Sequence, residues 1–302
     1  MFTTLLNVAK GASAVLFLGI NTIVMCLILF VFAFFKFISP TRSLRDFFTR
    51  ILHRLTEFWT GLNNGLWSLY RNMQWDIQVP DSLDRKGTYL VSSNHQSWVD
   101  ILALQKALNR KIPLLTFFIK QELIYVPFLG QAWWALDMPF MNRPSREEVK
   151  RNPALKGKDL ESARKACEKY KSLPVSMMSF AEGTRFSRAK AESGNSPYEN
   201  LLRPKVGGIG MVLYALGDKL QSMIDVTIVY PKKGETDYTP TFWQLVTGQI
   251  PNIIVRAREL EIPRHLLGRN FRTDRDIRKE LEDWISQVWL EKDALLTQLK
   301  TS

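Results

Sequence analysis

Apolar and polar positions divide the chain into three stretches with different periods. From Ala12 through Phe35 the run is nearly unbroken: beyond Ser13, Asn21 and Thr22 it holds no polar side chain, and it holds no charge. As a helix rising ~1.5 Å per residue it is ~36 Å long, enough to cross a hydrocarbon core of ~30 Å. It is longer than the apolar core of a secretory signal. Phe35-Lys36-Phe37-Ile38-Ser39-Pro40 follows it in place of a small-residue cleavage site. Residues 1–40 therefore read as a retained membrane segment, either a transmembrane crossing or a re-entrant, monolayer-embedded one. After Pro40, Leu44, Phe48, Ile51, Leu55, Phe58, Leu62, Leu66 and Leu69 recur at helical spacing, and Phe47, Trp59 and Trp67 widen the stripe. This spacing predicts an amphipathic helix within residues 41–78, its apolar face meeting either the membrane interface or the folded domain.

From Val79-Pro80 onward short apolar runs alternate with helical periods. Strands are predicted at Thr88 to Ser92, Leu114 to Ile119, Met138 to Met141, Val175 to Phe180, Ile224 to Tyr230 and Ile253 to Ala257. Helices are predicted at Trp98 to Leu108, Gly157 to Lys171, Gly207 to Leu220 and Arg275 to Leu299. Such alternation indicates an α/β fold over residues 79–302, a mixed, largely parallel sheet flanked by helices. Lys190 to Tyr198, with its Ser-Gly-Asn-Ser-Pro run, is expected to be a loop, and the charges of the last helix a solvated face.

Charge narrows the partners. Forty-one Lys and Arg against 29 Asp and Glu leave a net charge of +12, which calls for an anionic partner: nucleic acid, anionic lipid or a phosphorylated substrate. The membrane segment favours lipid, and no helix-turn-helix, finger or RNA-binding signature speaks for nucleic acid. Lys36, Arg42, Arg45, Arg50 and Arg54 follow the apolar run, whereas Lys10 alone precedes it, so the positive-inside rule puts the carboxy-terminal bulk in the cytoplasm. Two cysteines and three histidines provide neither a disulfide framework nor a set of metal ligands, and no cofactor is called for.

Two short stretches carry candidate chemistry. In Asn94-His95-Gln96-Ser97-Trp98-Val99-Asp100 a histidine leaves a strand end and a carboxylate follows five positions later. On one helix, positions i and i+5 point ~140° apart. His95 should therefore sit in the loop and Asp100 one turn into the next helix, reaching back as the orienter of a general base. The same letters spell a capping box, Ser97-x-x-Asp100, in which Asp100 closes the helix. Phe180-Ala181-Glu182-Gly183-Thr184-Arg185 also follows a predicted strand, and there Gly183 permits close approach while Arg185 offers a fork to phosphate. Alone, it reads more simply as a surface turn in which Glu182 and Arg185 form a salt bridge worth little.

Together these stretches resemble the N-H-x-x-x-x-D and F-x-E-G-[TS]-R boxes of the glycerolipid acyltransferases, the family of lysophosphatidic acid acyltransferase and glycerol-3-phosphate acyltransferase. Lys120-Gln121-Glu122-Leu123, Val126-Pro127-Phe128-Leu129-Gly130 and Phe140-Met141-Asn142-Arg143 are similar to the K-x-E-L, V-P-F-x-G and F-[IV]-x-R elements between them. The resemblance covers roughly Leu90 to Pro231. One departure is Asp137, where the family usually has glycine. Another is Asp225-Val226-Thr227-Ile228-Val229-Tyr230, which looks like the D-V-T-x-x-Y form of the lysocardiolipin acyltransferase branch. Trp134 to Met141 and the closing helix resemble the bacterial inner-membrane proteins called YihG.

The resemblance implies transfer of an acyl chain from acyl-CoA or acyl-carrier protein to the hydroxyl of a lysophospholipid, most directly 1-acyl-glycerol-3-phosphate, at the cytoplasmic side of a bacterial inner membrane. His95 and Asp100 would be catalytic. Glu182, Gly183, Thr184, Arg185, Arg143 and Lys120 would serve binding, with Arg185, Arg143 and Lys120 directed at phosphate and Glu182 orienting the glycerol or the loop. Hydrolysis or transacylation by the same base, and a non-catalytic membrane adaptor, are the competing readings.

Overall fold

A computed structural model describes residues 2–70, 72–141, 151, 158–171, 173–235 and 237–301. The chain opens with two long helices, α1 (Phe2–Ile38) and α2 (Arg42–Ser68). Strands β1 (Gln74–Gln78) and β2 (Tyr89–Ser93) lead to α3 (Val99–Leu108). Next come β3 (Leu115–Phe117), β4 (Ile119–Lys120), α4 (Leu129–Ala135), β5 (Phe140–Met141) and α5 (Lys158–Cys167). Strand β6 (Ser176–Phe180) precedes α6 (Arg188–Ser193) and α7 (Gly207–Leu216). The last elements are β7 (Ser222–Val229), α8 (Phe242–Val246), β8 (Asn252–Leu260) and α9 (Arg275–Thr301).

Six strands form one sheet in the order β1-β8-β7-β2-β6-β3, and β4 pairs with β5 in a small parallel ladder. Strands β3, β6, β2 and β7 run parallel, β8 is antiparallel to β7, and β1 runs with β8. This is the mixed, largely parallel sheet expected from the alternation. Successive residues of a strand face opposite sides. Leu90 and Met177 accordingly enter a core with Val212, Leu281 and Trp289, beneath α7 and α9. Val91 and Met178 face the other way, into a core with Leu104, Ile228 and Trp67.

Several boundaries differ from the expected ones. Strand β1 joins the sheet from within residues 41–78, so that stretch is not all helix. The expected strand Leu114 to Ile119 is split between two sheets, as β3 pairs with β6 and β4 with β5. In the expected loop Lys190 to Tyr198, residues up to Ser193 belong to α6, whose first turn is capped by the Ser187 hydroxyl accepting from Lys190 N–H. Helix α7 stops at Leu216 because Gly217 turns into the left-handed region at φ +52°.

Helix α1 has the length and apolarity to cross a membrane. It lies along the folded domain instead of leading away from it. Near its start, Gly11 packs against the Trp243 ring and Thr247 of the α8 region. At its end, Lys36 donates to the Ala135 carbonyl at 3.0 Å and pairs with Asp137 beyond α4. Between these ends Cys26 and Leu29 share a core with Leu52, Ala132 and Leu136. Asn21 Nδ2 donates to Asn63 Oδ1 of α2 at 2.8 Å, which fixes the register of the hairpin. The outward face of α1 and α2 is apolar, with Phe17, Val31, Phe34, Phe47 and Phe58 among its exposed residues.

Candidate active site

The parallel strands bring the two candidate stretches together. His95 lies two residues past β2, Glu182 two residues past β6 and Tyr230 one residue past β7, all at the carboxyl end of the sheet, where open α/β sheets bind ligands. Asn94 continues the ladder with its side chain: Nδ2 donates to the Ile228 carbonyl and Oδ1 accepts from Ile228 N–H, each at 2.8 Å. The residue before the histidine is thereby tied to β7.

His95 Nδ1 lies 2.8 Å from Asp100 Oδ2. That oxygen also accepts from the backbone N–H groups of Gln96 at 2.6 Å and Ser97 at 2.8 Å, and Oδ1 accepts from the Tyr230 hydroxyl at 2.6 Å. Asp100 is fully buried, and a buried carboxylate surrounded by donors acts as an acceptor. Nδ1 therefore carries the proton in this contact and leaves the Nε2 lone pair of the neutral ring available for a hydroxyl proton. The carboxylate that meets the ring also accepts from the backbone ahead of α3, so one side chain makes the contacts that both expectations require. Burial and the negative charge of Asp100 push the Tyr230 phenol well above its usual range, so its O–H remains a donor. Phe180 stacks on the imidazole with centroids 4.0 Å apart and planes 19° from parallel. Phe186 N–H donates to the His95 carbonyl at 2.7 Å.

Glu182 faces the protein interior. It is fully buried, and its two oxygens accept from backbone N–H groups, Oε1 from His95 and Oε2 from Leu202, each at 2.8 Å. Of the two tasks expected of it, orienting the loop is the one this geometry performs. Burial pushes its carboxyl up to about 7 against the pull of those two N–H groups and of Lys292. Gly183 takes φ +70°, and a side chain there would meet Lys205. The Thr184 hydroxyl accepts from Lys190 Nζ at 2.9 Å, and the exposed Arg185 guanidinium lies 5.1 Å from the centre of the Trp98 ring. Lys120 is exposed beyond β3 at the same end of the sheet. Arg143 lies outside the described residues.

Asp137 takes φ +62°, so the turn keeps the left-handed conformation that glycine favours. Its side chain adds the ion pair to Lys36 of α1. Gly130 closes the V-P-F-x-G element because a Cβ there would come within 2.2 Å of the Ile124 carbonyl. A cleft of about 940 Å³ opens beside the site, walled by Arg188, Asn200, Lys232, Asp237 and Lys300; neither His95 nor Asp100 lines it. Among the described residues, no three or more His, Cys, Asp and Glu side chains gather to hold a metal ion.

A family model described as Acyltransferase matches residues 74–231, just over half of the chain. The chain belongs to the Acyltransferase family. The match begins at the first residue of β1 and ends just past Tyr230, so it encloses both boxes and leaves out α1, α2 and α9. This acyltransferase is similar to the 2-acyl-1-lysophosphatidylinositol acyltransferase of Saccharomyces cerevisiae, 24% identical over 253 residues that cover 70% of this chain and 61% of that protein. It is similar to the 1-acyl-sn-glycerol-3-phosphate acyltransferase 3 of Arabidopsis thaliana, 24% identical over 70% of this chain and 54% of that one. It thus spans only about three fifths and just over half of the lengths of these two relatives. Among solved structures it resembles the 1-acyl-sn-glycerophosphate (LPA) acyltransferase PlsC of Thermotoga maritima, with a TM-score of 0.52 at 14% identity, covering 95% of this chain and 97% of that one. That likeness establishes the shared fold.

The sequence reading of this acyltransferase missed three contributors to the site. Asn94 and Phe180 stood inside the quoted boxes without a role, and Tyr230 served only as a mark of a family branch. Their letters were legible, but the contacts arise from pairing β2 with both β6 and β7.

Proposed function

We propose that the protein transfers an acyl chain from a thioester, acyl-CoA or acyl-carrier protein, to the free hydroxyl of a lysophospholipid, most directly 1-acyl-glycerol-3-phosphate, with His95 as general base. The observation that carries this reading is the Asp100-supported imidazole at the carboxyl end of the sheet. As the acceptor hydroxyl attacks the thioester carbonyl, its proton passes to His95 Nε2 and Asp100 stabilises the imidazolium. The tetrahedral intermediate collapses, the carbon–sulfur bond breaks, and the departing thiolate takes the proton back. Arg185, with Lys120 and Arg143, holds the acceptor phosphate; the exposed guanidinium at the mouth of the site supports that role.

The apolar outer face of the α1–α2 hairpin supports a membrane location, and the basic residues after α1 support the cytoplasmic face of a bacterial inner membrane. Contact of both ends of α1 with the folded domain supports embedding from one side over a full crossing.

A second acceptor, a lysophospholipid with an inositol or other substituted phosphate, is favoured by the Asp225-Val226-Thr227 and Tyr230 pattern and by the name of the Saccharomyces cerevisiae relative. The test presents purified protein in mixed micelles with a panel of lysophospholipids and both donor types, read by lipid mass spectrometry. A diacyl product is expected, with His95→Ala lowering the rate on the order of 10²–10⁴-fold. A His95→Ala protein as active as wild type, or a wild type inert with every pair, overturns the reading.

A further inference from the structure

The family match ends at residue 231, yet α9, more than forty residues further on, is bonded into the loop that holds Glu182. Asp293 accepts two consecutive backbone N–H groups, Glu199 N–H at 2.9 Å on Oδ2 and Asn200 N–H at 2.7 Å on Oδ1. The Asn200 side chain is also held by α9: Nδ2 donates to Thr297 Oγ1 at 2.9 Å, and Oδ1 accepts from Lys300 Nζ at 2.7 Å. Asn200 is 4% exposed, and Leu201, fully buried, pins the next residue in the core. Leu202 then donates its N–H to Glu182 Oε2, and Glu182 Oε1 takes the N–H of His95. The bonds are of ordinary length; the one to Glu199 is exposed, those to Asn200 are half-buried and the one from Leu202 to Glu182 is buried, with a single loop of four residues between α9 and the carboxylate.

This path has a chemical purpose. Glu182 must keep two acceptor oxygens aimed at two backbone donors in an interior where an unmet donor is costly. Leu202 can present its N–H only while residues 199–201 hold their course; Arg188 donates to the Glu199 carbonyl at 2.8 Å and the Ser196 hydroxyl to the Leu201 carbonyl at 2.6 Å, while the bonds to the Glu199 and Asn200 N–H groups and to the Asn200 side chain come from α9. We infer that Asp293 is a positioning residue for acyl transfer, acting through Asn200, Leu202 and Glu182 on the backbone of His95. The inference rests on His95 being the general base, as proposed above.

The test is steady-state kinetics of the full-length Asp293→Ala protein across pH, beside wild type, Asp293→Asn, His95→Ala and Glu282→Ala. Glu282 is a half-exposed residue of the same helix, paired with Arg278. Losing charge-assisted bonds worth ~1.5–3 kcal/mol should lower kcat by roughly 10–100-fold while leaving both KM values within about twofold. Asp293→Asn, which keeps one acceptor oxygen, should fall between, and Glu282→Ala should match wild type.

The part of the acid limb of kcat that follows the Glu182 carboxyl gives the readout that mere loss of stability would not move. Glu182 faces the N–H groups of His95 and Leu202, the Lys292 ammonium and the Asp100 carboxylate, and Lys205 lies beside Gly183. The Leu202 bond lowers the carboxyl's pKa, so weakening it raises that pKa further. The ionised form, which accepts both N–H groups, then persists only at higher pH, and the limb moves alkaline. A folded Asp293→Ala protein with wild-type kcat and an unmoved limb overturns the inference, as does a kcat loss that follows the folded fraction with the limb in place. If Asp293→Ala does not fold, Asp293→Asn carries the same readouts. His95→Ala separates the two ideas: if it is inactive while Asp293→Ala is normal, only this inference fails.

Discussion

At Asp100 one carboxylate oxygen meets His95 Nδ1 and also accepts from the backbone N–H groups of Gln96 and Ser97. A carboxylate five positions after a histidine reaches it only if a tight turn lets the carboxylate bind the intervening backbone, so the helix closure creates the dyad geometry. The histidine, its acid and the downstream box were legible because they are short-range or follow strand ends. Tyr230 was not, because its bond to Asp100 spans 130 positions and depends on β7 lying beside β2. Tyr230→Phe keeps the ring in place and removes one donor to the carboxylate. With ~1.5–3 kcal/mol for a bond to a charged acceptor, kcat should fall roughly 10–100-fold. The acceptor KM should hold, as the phenol is buried behind the dyad. Unchanged kcat in the purified variant would remove Tyr230 from the support of Asp100.

Among the elements, α9 departs furthest from its sequence appearance. Its charges read as a solvated face, and most are, but Lys292 enters the core at 1% exposure. There Nζ lies 2.7 Å from Asp225 Oδ1 and donates to the Val226 carbonyl at 2.5 Å. Val226 pairs with Ser93, the last residue of β2, so the ammonium braces the strand next to the loop that carries His95. The helical period sets Lys292 on the inward face with Val288, Trp289 and Leu296, but its partner is a carboxylate of β7 that the sequence alone does not place opposite it. Burial lowers the Lys292 pKa while Asp225 opposes the shift. Removing one member of a buried pair costs ~3–5 kcal/mol, and Arg258, which still reaches Asp225 at 3.0 Å, should hold Lys292→Ala near the lower figure. Chemical denaturation of the detergent-solubilised protein measures it, and a change below ~1 kcal/mol, as for an exposed pair, would contradict the bracing role.

At the scale of the molecule, the α/β class and the apolar start were legible from periodicity, because long regular segments carry their own signal. How α1 sits was not, because Ala12 to Phe35 satisfies the length of a crossing and that of a helix lying along a domain equally well. In the structure α4 and α8 meet its two ends, contacts that the apolar run itself does not announce. If the apolar outer face holds the protein to lipid, 1 M salt should leave it on sedimented vesicles, since screening removes charge attraction without weakening apolar burial, and detergent should release it. Release by salt alone would assign the attachment to the basic residues.

The helix fastened at both ends also has a consequence for the bilayer. If the protein acts as proposed, embedded from one side, it would draw its single-chain acceptor from the near monolayer and return a two-chain product to that same monolayer. Each turnover would then widen one sheet of lipid and not the other. Growth of the opposite sheet then depends on a separate activity that carries phospholipid across, and without it the membrane would bend toward the enzyme's side.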